Sequence, residues 1–114
     1  MQENEKKARK VQPATITIPL SEPITLSGKD VDTVHTELEL REPNLRQIKA
    51  FVKMLPTKGA LEAFQTLISE QTGIPVLGID KISARDYYKA QEYLSFFLTP
   101  PDEDDPEGNE VGSQ

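Results

Sequence analysis

The chain has 114 residues, 36% of them apolar and 28% charged, with nine prolines, one histidine and neither cysteine nor tryptophan. That length accommodates one domain, and the missing cysteines exclude a disulfide framework, thiolate metal sites and a thiol nucleophile. One histidine argues against His-rich metal sites and a Ser-His-Asp triad, and no apolar run approaches the ~20 residues of a membrane span.

The net charge of −6 is unevenly placed. Residues 99–114 hold six acids (Asp102, Glu103, Asp104, Asp105, Glu107, Glu110) and no base, which leaves 13 acids against 13 bases in residues 1–98. The opening segment MQENEKKARK is mildly basic and is followed by no apolar run, which predicts no secretory signal and a soluble cytoplasmic protein. Four bases diluted by two acids are a weak footprint for nucleic acid. The division expected is a disordered basic head over 1–13, one α+β domain over 14–98, and a disordered acidic tail over 99–114. The tail has a single apolar residue, Val111, with which to offset the entropy of ordering.

In the body, Ile16, Ile18 and Leu20 alternate with Thr15, Thr17 and Pro19, the period of a half-buried strand. Pro19 and Pro23 cannot donate to a ladder, so this strand lies on an edge or breaks after Leu20; Ile24 and Leu26 extend it to a turn at Ser27-Gly28-Lys29-Asp30. A second alternation puts Val34, Thr36, Leu38 and Leu40 on the core face and His35, Glu37, Glu39 and Arg41 on the wet one. Together they read as a β-hairpin. On that face the lone histidine is a solvated strand residue.

After Pro43 the period turns helical. Leu45, Ile48, Val52 and Leu55 form the stripe expected to face the core of a first helix, capped by Asn44 with Gln47 and ended by Pro56. A second helix is predicted from about Lys58 to Gln71, with Leu61, Phe64, Leu67 and Ile68 inward and Thr72-Gly73 as its C-terminal cap. One helical turn opens at Pro75. A third long helix starts at Ser83 with Asp86 three residues on, buries Tyr87, Ala90, Leu94 and Phe97, and stops at Thr99-Pro100-Pro101. The fold class is therefore α+β: an N-terminal β-hairpin packed on a bundle of about three α-helices, with disordered ends.

The third helix carries five of the seven aromatics, more than one face buries. Tyr93 and Phe96 lie away from the Tyr87–Leu94 line and Tyr88 lies beside it. Either the helix is central and buried on two sides by the hairpin and the other helices, or Tyr88, Tyr93 and Phe96 are candidate partner-binding residues on an aromatic edge. The search for chemistry finds none. The glycines of the body are isolated, the acid pairs Glu37/Glu39 and Asp30/Asp32 fall on a polar strand face and in a turn, and Asp30-x-Asp32 lacks the glycine and distal glutamate of a metal loop. No catalytic residue, metal ligand or cofactor is expected, and the protein reads as no enzyme.

The order of ITIPLSEPITLSGKDV, LELREP, a helix with LRQ, and TGIPVLGIDKISARDYYKAQEYLSFFL resembles the tail assembly chaperone family of contractile-tailed bacteriophages, the group of Mu-like phages and prophages. Leu20, Pro23, Ile24 and Gly28; Leu38, Leu40, Arg41 and Pro43; and Thr72, Gly73, Ser83, Ala84, Asp86, Phe97 and Leu98 carry the likeness, over about residues 15–98. The resemblance implies a non-enzymatic protein of the host bacterial cytoplasm. Such a protein binds the tape measure protein and keeps it soluble until tail tube subunits polymerise around it. The resemblance also implies contact with tube subunits through a longer frameshifted product, and it leaves self-association open. Neither nucleic acid nor membrane is a partner in this reading. A small structural component retained in the virion is the alternative.

Overall fold

A computed structural model describes residues 11–99. The expected basic head (but for 11–13) and acidic tail (but for Thr99) lie outside the described residues. The elements in chain order are β1 (Thr15–Leu26), β2 (Thr33–Arg41), α1 (Leu45–Lys58), α2 (Ala60–Thr72), the short α3 (Val76–Ile79) and α4 (Ala84–Leu98). This is the α+β arrangement expected from the sequence, a two-stranded antiparallel hairpin followed by helices.

The hairpin pairs Thr15 with Arg41 at its open end and Leu26 with Thr33 at its turn. Its ladder is interrupted where the prolines stand. Between the pairs Pro19–Glu37 and Ile24–His35, β1 spends four residues against the single Thr36 of β2. That excursion shifts the alternation of β2 by one residue. Leu38 and Leu40 are buried opposite Ile18 and Ile16, as expected, but beyond the irregularity it is His35 that faces buried Ile24. His35 is half-buried rather than wet, and Val34 and Thr36, expected on the core face, are exposed.

Behind the sheet, α2, α3 and α4 close a core of Ile18, Ile24, Leu38, Leu40, Phe64, Leu67, Ile68, Ile74, Ile79, Ala90, Tyr93 and Leu94. α4 packs on β1 and α2 on β2, while α1 packs chiefly on α2 and so forms the outermost layer. Local chemistry sets the helix ends. Gln47 N–H donates to Asn44 Oδ1 at 2.9 Å and Asn44 N–H donates to Gln47 Oε1 at 3.2 Å, the reciprocal cap expected for α1. Gly73 ends α2 in the left-handed conformation at φ 80°. Pro56 does not end α1. It occupies the last turn and the helix runs on to Lys58, where Gly59 at φ 90° breaks the chain direction.

The orientation of α1 reverses the sequence expectation. Gln47 and Phe51 are its buried residues and Met54 packs against the core, whereas Leu45, Val52 and Leu55 face outward with Ile48 half-buried. The reason is tertiary: Phe51 meets the Phe64 ring edge-on, centroids 4.8 Å apart at 65°, and Gln47 sits within 3.4 Å of the Gln71 amide. A large aromatic packed this way gains area burial and the edge-to-face term together. Leu61, expected inward, is likewise exposed at the start of α2.

Candidate partner-binding surface

α4 carries the residues singled out as partner contacts, and a polar lock at its N-terminus fixes it to the hairpin. Ser83 caps the helix, accepting from Asp86 N–H at 3.3 Å. The Asp86 carboxylate reaches the β1 excursion, where Oδ2 accepts from Ser21 N–H at 2.8 Å and from the Ser21 hydroxyl at 2.9 Å. Burial of Asp86 pushes its carboxyl up. The two Ser21 bonds, the Ser83 hydroxyl and the charge of Lys89 outweigh that and hold it below the ordinary carboxylate value. The irregular stretch of β1 thus presents its backbone N–H to the one buried acid of the described core.

The three aromatic candidates separate from this point. Tyr88 is 61% exposed, its ring edge-on to Tyr87 at 5.4 Å, and Tyr87 in turn meets Phe64 at 6.4 Å. Phe96 is half-buried, edge-on to Phe97 with centroids 5.0 Å apart. Tyr93 is different: it is 2% exposed, against the expectation that it stands clear of the core. The buried arc of α4 runs from Tyr93 through Ala90 to Leu94, wider than the Tyr87–Leu94 line. The Tyr93 hydroxyl donates to the Pro13 carbonyl at 2.7 Å, and Phe97 meets its ring edge-on with centroids 5.2 Å apart. Burial, followed by the nearby Glu42 carboxylate, raises its phenol above the ordinary value. Tyr93 therefore holds the chain before β1 and is a packing residue. Tyr88 and Phe96, at i and i+8 with Glu92 between them, share the outward side of α4.

The exposure of the apolar residues of α1 is not legible in the sequence pattern, because the same four-residue stripe reads as core-facing. The available signal was Phe51, the sole aromatic of that helix and the side chain with most area to bury. Among the described residues no three His, Cys, Asp or Glu side chains gather as metal ligands, and no helix is long and apolar enough to cross a membrane. The arrangement offers apolar and aromatic contact area.

A family model described as phage tail assembly chaperone proteins, E, or 41 or 14, matches residues 17–99. That stretch runs from β1 through α4 and takes in every element of the fold but the first two residues of β1. No curated protein and no solved structure matches the chain.

Proposed function

Because the chain belongs to the phage tail assembly chaperone family, we propose that it binds the tape measure protein of a contractile-tailed, Mu-like phage or prophage. It keeps that long helical protein soluble in the host bacterial cytoplasm until tail tube subunits polymerise around it. The role is non-enzymatic, and a longer frameshifted product brings the tube subunits to the complex. The family match over residues 17–99 is the observation that carries this reading. The fold adds support of a physical kind, since apolar residues stand exposed on α1 and an aromatic stands exposed on α4. Exposed apolar area is what a protein needs to cover the apolar faces of a client. On α4 the contacts are assigned to Tyr88 and Phe96.

Co-expression of the full chain with the tape measure protein of the same phage tests the proposal. The tape measure protein should move from the pellet to the soluble fraction and co-purify with the chain. Tyr88→Ser should lower that yield while leaving the melting curve of the isolated protein unchanged. A tape measure protein that stays insoluble at equal expression overturns the reading. Detection of the chain as a constant component of purified virions would replace it with the structural one.

A further inference from the structure

α1 turns outward the stripe that a surface helix ordinarily buries. Leu45 is 69%, Val52 53% and Leu55 37% exposed, with Ile48 half-buried among them, at i, i+3, i+7 and i+10 along three turns. Gln47, Phe51 and Met54 occupy the neighbouring arc, centred about 110° round the helix from the stripe, and are committed to the core, so a rotation that buried Leu45 and Val52 would pull them out of it. Beside the stripe, at 100° per residue, run Lys49, Lys53 and Arg46, and the helix as a whole has four bases and no acid. Arg46 pairs with Glu70 of α2. An apolar ridge of this length with one charged border is a docking surface with a stated chemistry: its complement is an apolar ridge bordered by acids.

We infer that the outward face of α1 docks an amphipathic helix from a separate polypeptide, whose apolar residues recur at i, i+3/i+4 and i+7 and are flanked by Asp and Glu. The inference rests on the reading of the chain as a chaperone of a helical client, and it assigns the surface and the client's charge pattern. Two other occupants fit less well. A second copy meeting α1 against α1 sets bases against bases. The chain's own residues 99–114 carry six acids but one apolar residue, Val111, so they match the lysines and leave the leucine-valine ridge uncovered.

The test uses the full chain and three labelled synthetic peptides of about 20 residues, long enough to form helix on a surface. The first has a Leu/Ile ridge flanked by Glu, the second the same ridge flanked by Lys, and the third the Glu content of the first with the ridge broken by Ser. Fluorescence anisotropy should show the Glu-flanked peptide bound at least about 10-fold more tightly than either of the others, and more weakly as salt rises. Val52→Asp and the pair Lys49→Glu/Lys53→Glu should each weaken it by about 10-fold or more, with melting curves close to wild type. Equal binding of the Glu-flanked and Ser-broken peptides overturns the inference, because acid alone then suffices. Equal binding by wild type and Val52→Asp overturns it as well. A wild-type dimer in sedimentation that Val52→Asp converts to monomer makes a second copy the occupant. A gain of about 10-fold on ending the chain at Leu98 makes the acidic segment the occupant. Scoring the same variants for tape measure solubility separates the two levels. A wild type that fails to solubilise refutes the proposed function, whereas a wild type and Val52→Asp that solubilise equally refute the α1 surface alone.

Discussion

The side-chain amide of Gln71 engages both backbone groups of Arg41: Arg41 N–H donates to Gln71 Oε1 at 3.0 Å, and Gln71 Nε2 donates to the Arg41 carbonyl at 2.9 Å. Arg41 is the last residue of β2, and its neighbour Glu42 is the one that donates across to β1, at Ala14. The groups Gln71 satisfies therefore point away from the partner strand, on the open edge of a two-stranded sheet. A helix side chain does there what a third strand would do.

Gln71→Met keeps the volume and removes both bonds. With water able to reach exposed Arg41, the loss is about 1–2 kcal/mol, a fall of roughly 4–15 °C in melting temperature for a domain this size. Hydrogen exchange at the Arg41 amide should speed up more than at Leu40, whose N–H lies on the ladder side. An unchanged melting point with unchanged Arg41 protection would show that the pairing contributes nothing.

Asp86 predicts a pH dependence. Its carboxyl is held below the ordinary value in the folded chain, so the folded state favours the charged form. The stabilisation is fully present above the unfolded value near 3.9, and it is lost as pH falls through the lower folded value. Asp86→Asn keeps an acceptor for Ser21 but not the charge, and should cost about 1.5–3 kcal/mol at neutral pH. Unfolding followed from pH 7 down to pH 2 should show the gap between wild type and variant closing below about pH 4. A constant gap across that range would mean that the charge is not what locks β1 to α4.

Gly59 joins α1 to α2 at φ 90° and ψ 168°, a region that side-chain-bearing residues avoid. A Cβ there meets nothing within 4 Å, so Gly59→Ala isolates backbone strain from packing. The expected loss is about 1–3 kcal/mol by chemical denaturation, with the m-value unchanged. An Ala variant as stable as wild type would require that the α1–α2 joint adopt another conformation.

Features set within four residues of each other were readable in the sequence. The caps Asn44–Gln47 and Ser83–Asp86, the Gly73 stop and the alternation of Ile16 and Ile18 depend on neighbours alone. Features decided at long range were not. Tyr93 is fixed by the carbonyl of Pro13, 80 residues away, and no helical period announces that bond. The shift of β2 that brings His35 opposite Ile24 originates in the other strand, in the four residues Leu20 to Pro23. For the partner surface, the apolar stripe of α1 was visible but its direction was not, because a helix carrying both Leu45/Val52 and Phe51/Met54 can bury either side.

That ambiguity yields the last prediction. If α1 lies as found, the energetic weight sits on Phe51 rather than on the longer aliphatic stripe. Phe51→Ala removes a buried ring packed edge-on against Phe64 and opens a cavity between α1 and α2, at a cost of about 3–5 kcal/mol. Leu45→Ala and Val52→Ala trim side chains that already face water, and each should change stability by less than about 0.5 kcal/mol. The three variants compared by urea titration read the rotation of the helix directly. Should Val52→Ala prove as damaging as Phe51→Ala, α1 buries the aliphatic stripe after all, and the outward face assigned to the client helix does not exist. If Phe51→Ala alone is severe, the aliphatic stripe contributes little to folding and the leucine-valine ridge is free for a partner.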